Sequence, residues 1–148
     1  MAVRPLELVD HPEWLRLRKA LWPDCSDDTH AFEMRLYAEQ PEKSRVFVFE
    51  RRGGKLGGFL EVSIRDRVDG SFCRRVGYCE AWYVDADLRR RGIGRLLFDA
   101  AEKWAVGKGL TELASDCELG DRQSQTIQRA MGFEETFRLV HFLKKLQR

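Results

Sequence analysis

A basic turn between two periodic segments constrains this chain more than any other feature. Residues 87–97 run through three consecutive arginines into a Gly-x-Gly turn. From Ile93 to Ala105 apolar residues then recur at helical spacing, with charged residues between them. The segment before the turn, 76–84, is rich in strand-forming residues. The pattern predicts a strand, a short basic turn and an amphipathic helix.

Such a turn has the chemistry of an anion site. The first N–H groups of a helix have no partner within the helix, and the helix dipole adds positive charge there. Glycines let the backbone approach a ligand closely, and arginines add charge-assisted donors. The alternative is a helix that merely begins with basic residues. On this stretch alone, both interpretations stay open.

Two nucleotide-binding motifs are excluded by the residues at the turn. A P-loop requires Gly-Lys followed by Ser or Thr, and the chain contains no such sequence. A dinucleotide fingerprint requires Gly or Ala at its sixth position, where this turn has Leu97. The turn also lies past the middle of a 148-residue chain, whereas the fingerprint follows a first strand.

Length and composition predict one soluble domain over residues 1–148. The net charge of +2 is too small to indicate a nucleic-acid partner, and no apolar run approaches the length of a membrane span. The N-terminus lacks the apolar core of a signal peptide, and the four cysteines show no C-x-x-C spacing. We therefore expect a cytoplasmic protein with reduced thiols. The three histidines are too scattered to suggest a metal site.

The remaining segments predict an α/β fold. A short strand and two helices precede a hairpin with strands at 45–50 and 56–65. After the basic turn and its helix come a strand at 110–116, a helix at 122–131 and a terminal strand at 135–145. The order β-α-α-β-β-β-α-β-α-β predicts a mixed sheet that is antiparallel first and parallel around the central βαβ unit.

The turn and the order of elements resemble the GNAT superfamily of acyl-CoA-dependent N-acetyltransferases. That family carries the motif [RQ]-x-x-G-x-[GA], and Arg89, Gly92 and Gly94 match every fixed position. Residues 130–133, Ala-Met-Gly-Phe, are similar to the family's segment at the end of the penultimate helix. The resemblance implies a GNAT-like mixed central sheet of about six or seven strands flanked by about four helices. It also implies acetyl-CoA as co-substrate and no metal.

The resemblance assigns one group of residues to coenzyme A. The amides of the turn would hold the pyrophosphate, and the backbone of the strand before it would pair with the pantetheine arm like an extra strand. Asp121 stands where the family usually has an asparagine at the start of the penultimate helix. The residues assigned to the coenzyme are Trp82, Tyr83, Val84, Arg89, Arg90, Arg91, Gly92, Ile93, Gly94, Arg95 and Asp121.

Within GNAT the chain is more similar to the aminoglycoside 6′-N-acetyltransferases. Segments 17–23, 114–116 and 132–136 carry this resemblance. It implies acetylation of the 6′-amine of aminoglycoside antibiotics, a resistance activity, by an enzyme that we expect to be a homodimer without nucleic-acid or membrane partners. The residues assigned to the cationic substrate are Trp22, Asp27, Asp28, Glu80 and Asp116.

The carboxylates support a cationic acceptor independently of the resemblance. Acidic residues recur at several predicted strand ends, and a polyamine is attracted to a cleft of complementary charge. Glu80 lies mid-strand in a predicted period-2 register with Tyr78, Trp82 and Val84, where an unpaired carboxylate is costly to bury. We interpret Glu80 as functional, with a structural salt bridge as the alternative.

The expected mechanism is direct acyl transfer in a ternary complex. Glu80 or Asp116 would accept the proton of the amine or only orient the ammonium, and a backbone N–H of the preceding strand would polarise the carbonyl. A covalent acyl-cysteine at Cys79 or Cys117 is disfavoured because no histidine lies nearby in sequence. Phe142 stands where related enzymes often have a tyrosine, so the general acid is unassigned.

Two other functions compete with this interpretation. One is a GNAT enzyme that acetylates a polyamine or a protein amino group, for which the acidic residues are equally suited. The other is a nucleic-acid-binding module that uses residues 89–91 together with Arg51 and Arg52. It is disfavoured because one arginine run is weak evidence for nucleic-acid binding.

Overall fold

A computed structural model describes residues 2–147 and contains one mixed sheet of five strands. The order of the strands in the sheet follows their order in the chain. The first four strands pair antiparallel with one another, and the fifth is parallel to the fourth. The strands are β1 (Ala2–Pro5), β2 (Ser44–Glu50), β3 (Leu56–Arg65), β4 (Val76–Val84) and β5 (Leu113–Ser115).

The described residues form four α-helices. Their ends follow local signals: a proline in the first turn of the first helix, and the Ser26 hydroxyl accepting the Thr29 N–H at 3.1 Å at the start of the second. No helix among the described residues is long and apolar enough to cross a lipid bilayer. The helices are α1 (His11–Leu21), α2 (Asp27–Glu39), α3 (Ile93–Gly107) and α4 (Arg122–Ala130).

Two apolar cores lie on opposite faces of the sheet. On one face α3 packs against β2, β3 and β4, and buries Leu97 and Phe98. On the other face α1 and α2 bury Trp14, Leu17 and Met34 against the same sheet. Alternate residues of one strand therefore belong to different cores, as expected from the period of two in an extended chain.

The α/β class and the change from antiparallel to parallel pairing are confirmed. The strand predicted at 56–65 has the same bounds in β3, because Gly53 and Gly54 form the tight turn that begins it, with φ angles of 85° and 78°. The helix predicted after Gly92 is α3, and β4, α3 and β5 form the parallel βαβ unit.

The predicted terminal strand at 135–145 is wrong for this chain. Within residues 2–147 that segment belongs to no strand, so the sheet has five strands where about six or seven were expected. β5, at the outer edge of the sheet, is only three residues long and offers little backbone for a further strand to pair with. The alternating apolar side chains of the segment consequently stay exposed, with Phe142 at 93% and Leu143 at 91%.

Candidate active site

The basic turn opens α3 in a conformation suited to an anion. Arg90 and Gly92 have left-handed φ angles of 65° and 77°, and left-handed residues in such turns direct successive backbone N–H groups into a concave surface. Gly92 precedes the first residue of α3 and has no side chain to cap it. The N–H groups of residues 93–95 therefore have no partner within the helix. A phosphate at this position would meet several backbone donors at once.

Gly94 allows the turn to lie against β4. A Cβ at this position would lie only 3.1 Å from the Trp82 ring, which is tighter than ordinary contact. The Trp82 ring in turn packs edge-on against Phe98, with ring centres 5.3 Å apart. The two positions of the motif thus require glycine for different reasons: Gly92 adopts a left-handed φ, and Gly94 leaves room for an indole.

The arginines of the turn divide into two pairs. Arg89 Nε donates to the carbonyl of Val84 at 3.0 Å, and Arg95 donates to the carbonyl of Ala130 at 2.9 Å. These two side chains fix the turn to β4 and to the end of α4. The arginines at 90–91 are exposed.

The last three residues of β4 have an open edge. β4 pairs with β5 only from Gly77 to Cys79, and β5 ends at Ser115. In the described part of the chain, the β5 side of residues 82–84 therefore faces no strand. An edge of this kind can accept an extended ligand as an additional strand. Because the edge leads to the basic turn, the segment and the turn form one continuous surface.

A β-bulge places Glu80 on the opposite face from Trp82 and Val84. In the β3–β4 pairing, Glu61 faces Ala81 while the next residue, Val62, faces Cys79. Glu80 is the extra residue. The predicted period-2 register is therefore wrong, because one inserted residue reverses the alternation along the rest of the strand.

The side chains around the bulge follow this reversal. Trp82 and Val84 pack into the core beneath α3, together with Cys79. Tyr78 and Glu80 lie on the other face, where the Arg65 guanidinium contacts both of them. The bulge thus separates residues 82–84, whose edge is open, from the acidic part of the strand.

The Glu80 carboxylate is paired. It accepts hydrogen bonds from the Ser63 hydroxyl and from Arg65, whose Nε lies 2.9 Å away. Its side chain is 23% exposed, so solvent and an incoming cation still reach it. The salt bridge that the sequence left as an alternative is present, and the same carboxylate remains accessible.

Asp116 joins the same polar group through Tyr78. The Tyr78 hydroxyl donates to the Asp116 carboxylate, and the Arg65 guanidinium carbon lies 3.6 Å from the centre of the Tyr78 ring. Burial, and secondly the hydrogen bond to Asp116, raise the pKa of Tyr78, so its hydroxyl stays protonated and donates. We call Ser63, Arg65, Tyr78, Glu80 and Asp116 the carboxylate cluster.

Trp22 and the acidic residues after it lie at the junction of α1 and α2. Trp22 lines a shallow pocket of about 430 Å³ together with Asp24 and Glu33. Asp27 and Asp28 occupy the first turn of α2, where negative charge is favourable, and Asp27 pairs with Lys19 at 3.0 Å. No hydrogen bond or ion pair among residues 2–147 connects Asp27 or Asp28 to the carboxylate cluster.

Asp121 has a structural role at the start of α4. Its carboxylate accepts the backbone N–H of Ser124 at 3.0 Å and so caps the helix. The side-chain oxygen that an asparagine would supply for this cap is equally available from an aspartate. The assignment of Asp121 to the coenzyme stays a prediction.

The two cysteines considered as nucleophiles, Cys79 and Cys117, differ in exposure. All four are free thiols, and burial raises the pKa of Cys79, which keeps it in the unreactive neutral form. Cys117 is exposed. Among the residues that the structure covers, no three His, Cys, Asp or Glu side chains are grouped to hold a metal ion.

Comparison with known proteins identifies the family. Residues 11–133 match the model of the acetyltransferase (GNAT) family. This chain belongs to the GNAT family. A GNAT relative from Klebsiella aerogenes, aminoglycoside N(6′)-acetyltransferase type 1, is 37% identical over 146 residues, which cover 97% of this chain and 96% of that protein.

Solved GNAT structures match the fold over nearly the whole chain. The apo structure of the aminoglycoside 6′-N-acetyltransferase AAC(6′)-IG from Acinetobacter haemolyticus has a TM-score of 0.89 and 32% identity, covering 99% of this chain and 100% of that one. A structure of AAC(6′)-Iy in complex with the bisubstrate analogue CoA-S-monomethyl-acetylneamine also has a TM-score of 0.89 and 32% identity, with 97% of each chain covered.

Two features at the GNAT motif have the chemistry that coenzyme A would need. The turn offers unpaired backbone donors for a pyrophosphate, and residues 82–84 offer an open strand edge for an extended arm. Three members of the carboxylate cluster, Ser63, Arg65 and Tyr78, were missed by the sequence analysis. Antiparallel alignment of β3 with β4 would have found two of them, since Ser63 faces Tyr78 across the pair.

Proposed function

We propose that this GNAT protein transfers the acetyl group of acetyl-CoA to the 6′-amine of an aminoglycoside antibiotic. The observation that carries the proposal is the carboxylate cluster: Glu80 lies in β4 just before the open edge at 82–84, and Asp116 is exposed directly after β5. A polycationic sugar would be attracted to the carboxylates and an anionic coenzyme to the basic turn, so that the two substrates meet at β4. The full-length similarity to aminoglycoside 6′-N-acetyltransferases supports the same acceptor.

The donor side follows from the turn. The backbone N–H groups at 93–95 would bind the pyrophosphate, helped by the exposed arginines at 90–91. Residues 82–84 would align the pantetheine arm along their open edge. Arg89 and Arg95 would hold the turn in place through their hydrogen bonds to backbone carbonyls, while the neighbouring arginines contact the phosphates. Bound acetyl-CoA supplies an acetyl group activated as a thioester.

On the acceptor side, the amine arrives as an ammonium and must lose a proton before it attacks. Glu80 and Asp116 are the two groups placed to hold the ammonium, and one of them accepts its proton directly or through water. Arg65 and the Tyr78 hydroxyl keep these carboxylates oriented. Most of the acceleration then comes from holding amine and thioester together in one orientation.

A panel of amines tests the proposal. Thiol release from acetyl-CoA is measured with kanamycin, tobramycin, spermidine and a lysine-containing peptide, and the acetylated position is identified by NMR. We expect efficient turnover of the two antibiotics at the 6′-amine and little of the others. Preferential acetylation of spermidine or the peptide would support the alternative GNAT function, and absence of acetyl-CoA binding would sink both.

We also infer a homodimer that covers the C-terminal segment 137–147. Its apolar side chains, Phe142 and Leu143 among them, are largely exposed, and exposed apolar patches of this kind mark interfaces. A second copy is the expected partner because most soluble oligomers are symmetric homo-oligomers. Light scattering should give a dimer mass, and Phe142→Asp combined with Leu143→Asp should give a monomer. A monomeric wild-type protein would contradict the inference.

We place the protein in the cytoplasm and assign it no nucleic-acid partner. Four free thiols are typical of a reducing compartment. Arg51, which a nucleic-acid surface would need, instead pairs with Asp85 at 3.2 Å and also with Asp87. Fractionation of cells that express the protein, and filter binding with DNA and RNA, check these two assignments.

A further inference from the structure

The Trp22 ring rests against two buried side chains. The Arg18 guanidinium carbon lies 4.9 Å from the centre of the ring. The His30 ring stacks on it with centres 6.3 Å apart and planes 28° apart. Trp22 itself is partly exposed and lines the pocket between α1 and α2. One wall of that pocket is therefore an indole supported from behind by a cation and an imidazole.

Both supporting side chains are anchored to the centre of the sheet. Arg18 and His30 are each 0% exposed, and Arg18 Nε donates to His30 Nδ1 at 3.1 Å. Another N–H group of Arg18 donates to Glu61 on β3, which also accepts from Trp14 Nε1 at 2.9 Å. Neither support can move without breaking buried hydrogen bonds, which are strong in a low-dielectric interior.

Stability alone does not account for this network. Arg18 Nη2 and His30 Nε2 have no hydrogen-bond partner within residues 2–147, although Arg18 Nη2 lies 3.3 Å from a Glu33 carboxylate oxygen. Buried polar groups without hydrogen bonds are costly, and apolar side chains often replace a buried ion pair without loss of stability. The contacts with Trp22 give the network another use.

We infer that Arg18 and His30 are positioning residues that hold the Trp22 ring in the orientation in which it receives the acceptor. The inference rests on the proposed function, in which Trp22 lines the sugar site. A ring that is already fixed loses little rotational freedom when the sugar stacks on it, so less binding energy is lost on ordering. Arg18 and His30 act through Trp22, and their effect falls on acceptor affinity.

Two substitutions of His30 separate the ring from the hydrogen bond. His30→Asn keeps an acceptor for Arg18 Nε but removes the ring that stacks on Trp22. His30→Phe keeps a ring but removes the acceptor. Arg18→Lys keeps a positive charge beside Glu61 but removes the planar group that faces the indole. Trp22→Ala gives the full effect of losing the indole and serves as the reference.

The expected kinetic result is a change in KM for the aminoglycoside. His30→Asn and Arg18→Lys should raise it about three- to tenfold, the range that one lost ring contact predicts. Their kcat and their KM for acetyl-CoA should stay near wild-type values. His30→Phe should lower the melting temperature but leave the aminoglycoside KM within about twofold of wild type. If His30→Asn and Arg18→Lys lower only the melting temperature, the network is structural and the inference is wrong.

A spectroscopic readout tests the inference without turnover. In protein labelled with 5-fluorotryptophan, Trp22→Phe assigns the Trp22 resonance among the four tryptophan signals. His30→Asn and Arg18→Lys should shift or broaden that resonance and leave the signal of Trp104 unchanged. An unchanged Trp22 signal in both variants would overturn the inference. If wild-type protein acetylated no aminoglycoside, the proposed function would fail, while this signal would still decide whether the two residues hold the ring.

Discussion

The Arg65 guanidinium carbon lies 3.6 Å from the centre of the Tyr78 ring. From this position Arg65 donates to Glu80, while the Tyr78 hydroxyl donates to Asp116. Of the two carboxylates proposed to bind the acceptor, Glu80 therefore has a resident cation, and Asp116 is linked to that cation only through the Tyr78 ring. A substrate ammonium has to compete with Arg65 for Glu80, and this competition leads to the first prediction.

Replacement of Arg65 by glutamine should strengthen acceptor binding. Arg65→Gln removes a positive charge beside Glu80 but keeps a side chain that can donate a hydrogen bond. We expect the aminoglycoside KM to fall about three- to tenfold at low salt, since one nearby unit charge is worth about 1 kcal/mol or more at a protein surface. Steady-state kinetics at two salt concentrations measure this, with Arg67→Gln in the following loop as the matched control. A raised KM would mean that Arg65 chiefly orients Glu80.

Substitutions of the two carboxylates assign the base. If Glu80 accepts the proton, Glu80→Gln should lower kcat about 100-fold or more, and Asp116→Asn should mainly raise the aminoglycoside KM. If Asp116 is the base, the two effects exchange. The acetyl-CoA Kd, measured by calorimetry, should be unchanged in both variants. Wild-type kinetics in both would remove the carboxylate cluster from the active site.

Two substitutions of Gly92 test the coenzyme site, because they differ in charge but have the same backbone preference. Asn and Asp tolerate the left-handed φ of 77° about equally, and no atom lies within 4 Å of a Cβ at this position. Gly92→Asn should therefore weaken acetyl-CoA binding modestly, while Gly92→Asp should weaken it at least about tenfold more by setting a negative charge beside the pyrophosphate. Calorimetry measures both. Equal affinities for the two variants would contradict the placement of the pyrophosphate.

Asp10 should make stability depend on pH in the acid range. The hydrogen bond from Arg4, reinforced by the Glu7 N–H, lowers the pKa of Asp10 in the folded protein. A lowered folded-state pKa contributes stability above the unfolded-state value of about 3.9, and that contribution is lost as the pH falls toward the folded-state value.

Asp10→Asn should reduce the free energy of unfolding at neutral pH by about 1–3 kcal/mol. The difference from wild type should shrink as the pH falls below about 4. Urea titrations at several pH values measure it, with Asp69→Asn in the exposed loop after β3 as the control. A difference that is constant with pH would show that the Asp10 charge has no part in it.

The parts of the fold that were predictable are those with local causes. Gly53 and Gly54 fix a tight hairpin turn, and a largely apolar run follows them, so β3 was placed to the residue. The helix after Gly92 was predictable because its apolar residues recur at a period near 3.6 over several turns. The donor half of the candidate site has the same local origin, since turn and helix are contiguous in sequence.

The parts that failed depend on contacts distant in sequence. The bulge at Glu80 is a shift in the pairing register between β3 and β4. A period of two counted along one strand does not reveal it. The terminal segment 135–145 has the alternation of a strand, but the three-residue β5 is too short to serve as its partner in the sheet. In that case the sequence reports a preference for extended structure without saying what it pairs with.

The burial of Arg18 was not predictable from the sequence for a different reason. A single arginine in an amphipathic helix is usually solvated, and its position in α1 gives no sign that Glu61, 43 residues further along the chain, lies beside it. Glu61 likewise stands alone in an apolar strand. Each becomes informative only when the other is placed, because a buried charge in a folded protein requires a partner.

The bulge in β4 divides the strand into two halves whose side chains alternate independently. Under the proposed function, the residues before the bulge would bind the amine and those after it would bind the coenzyme. A substitution at Tyr78 therefore need not propagate to the side chains that support the turn. Under the proposed function, substitutions in the first half of the strand would alter the range of acceptors and leave the coenzyme site in the second half unchanged.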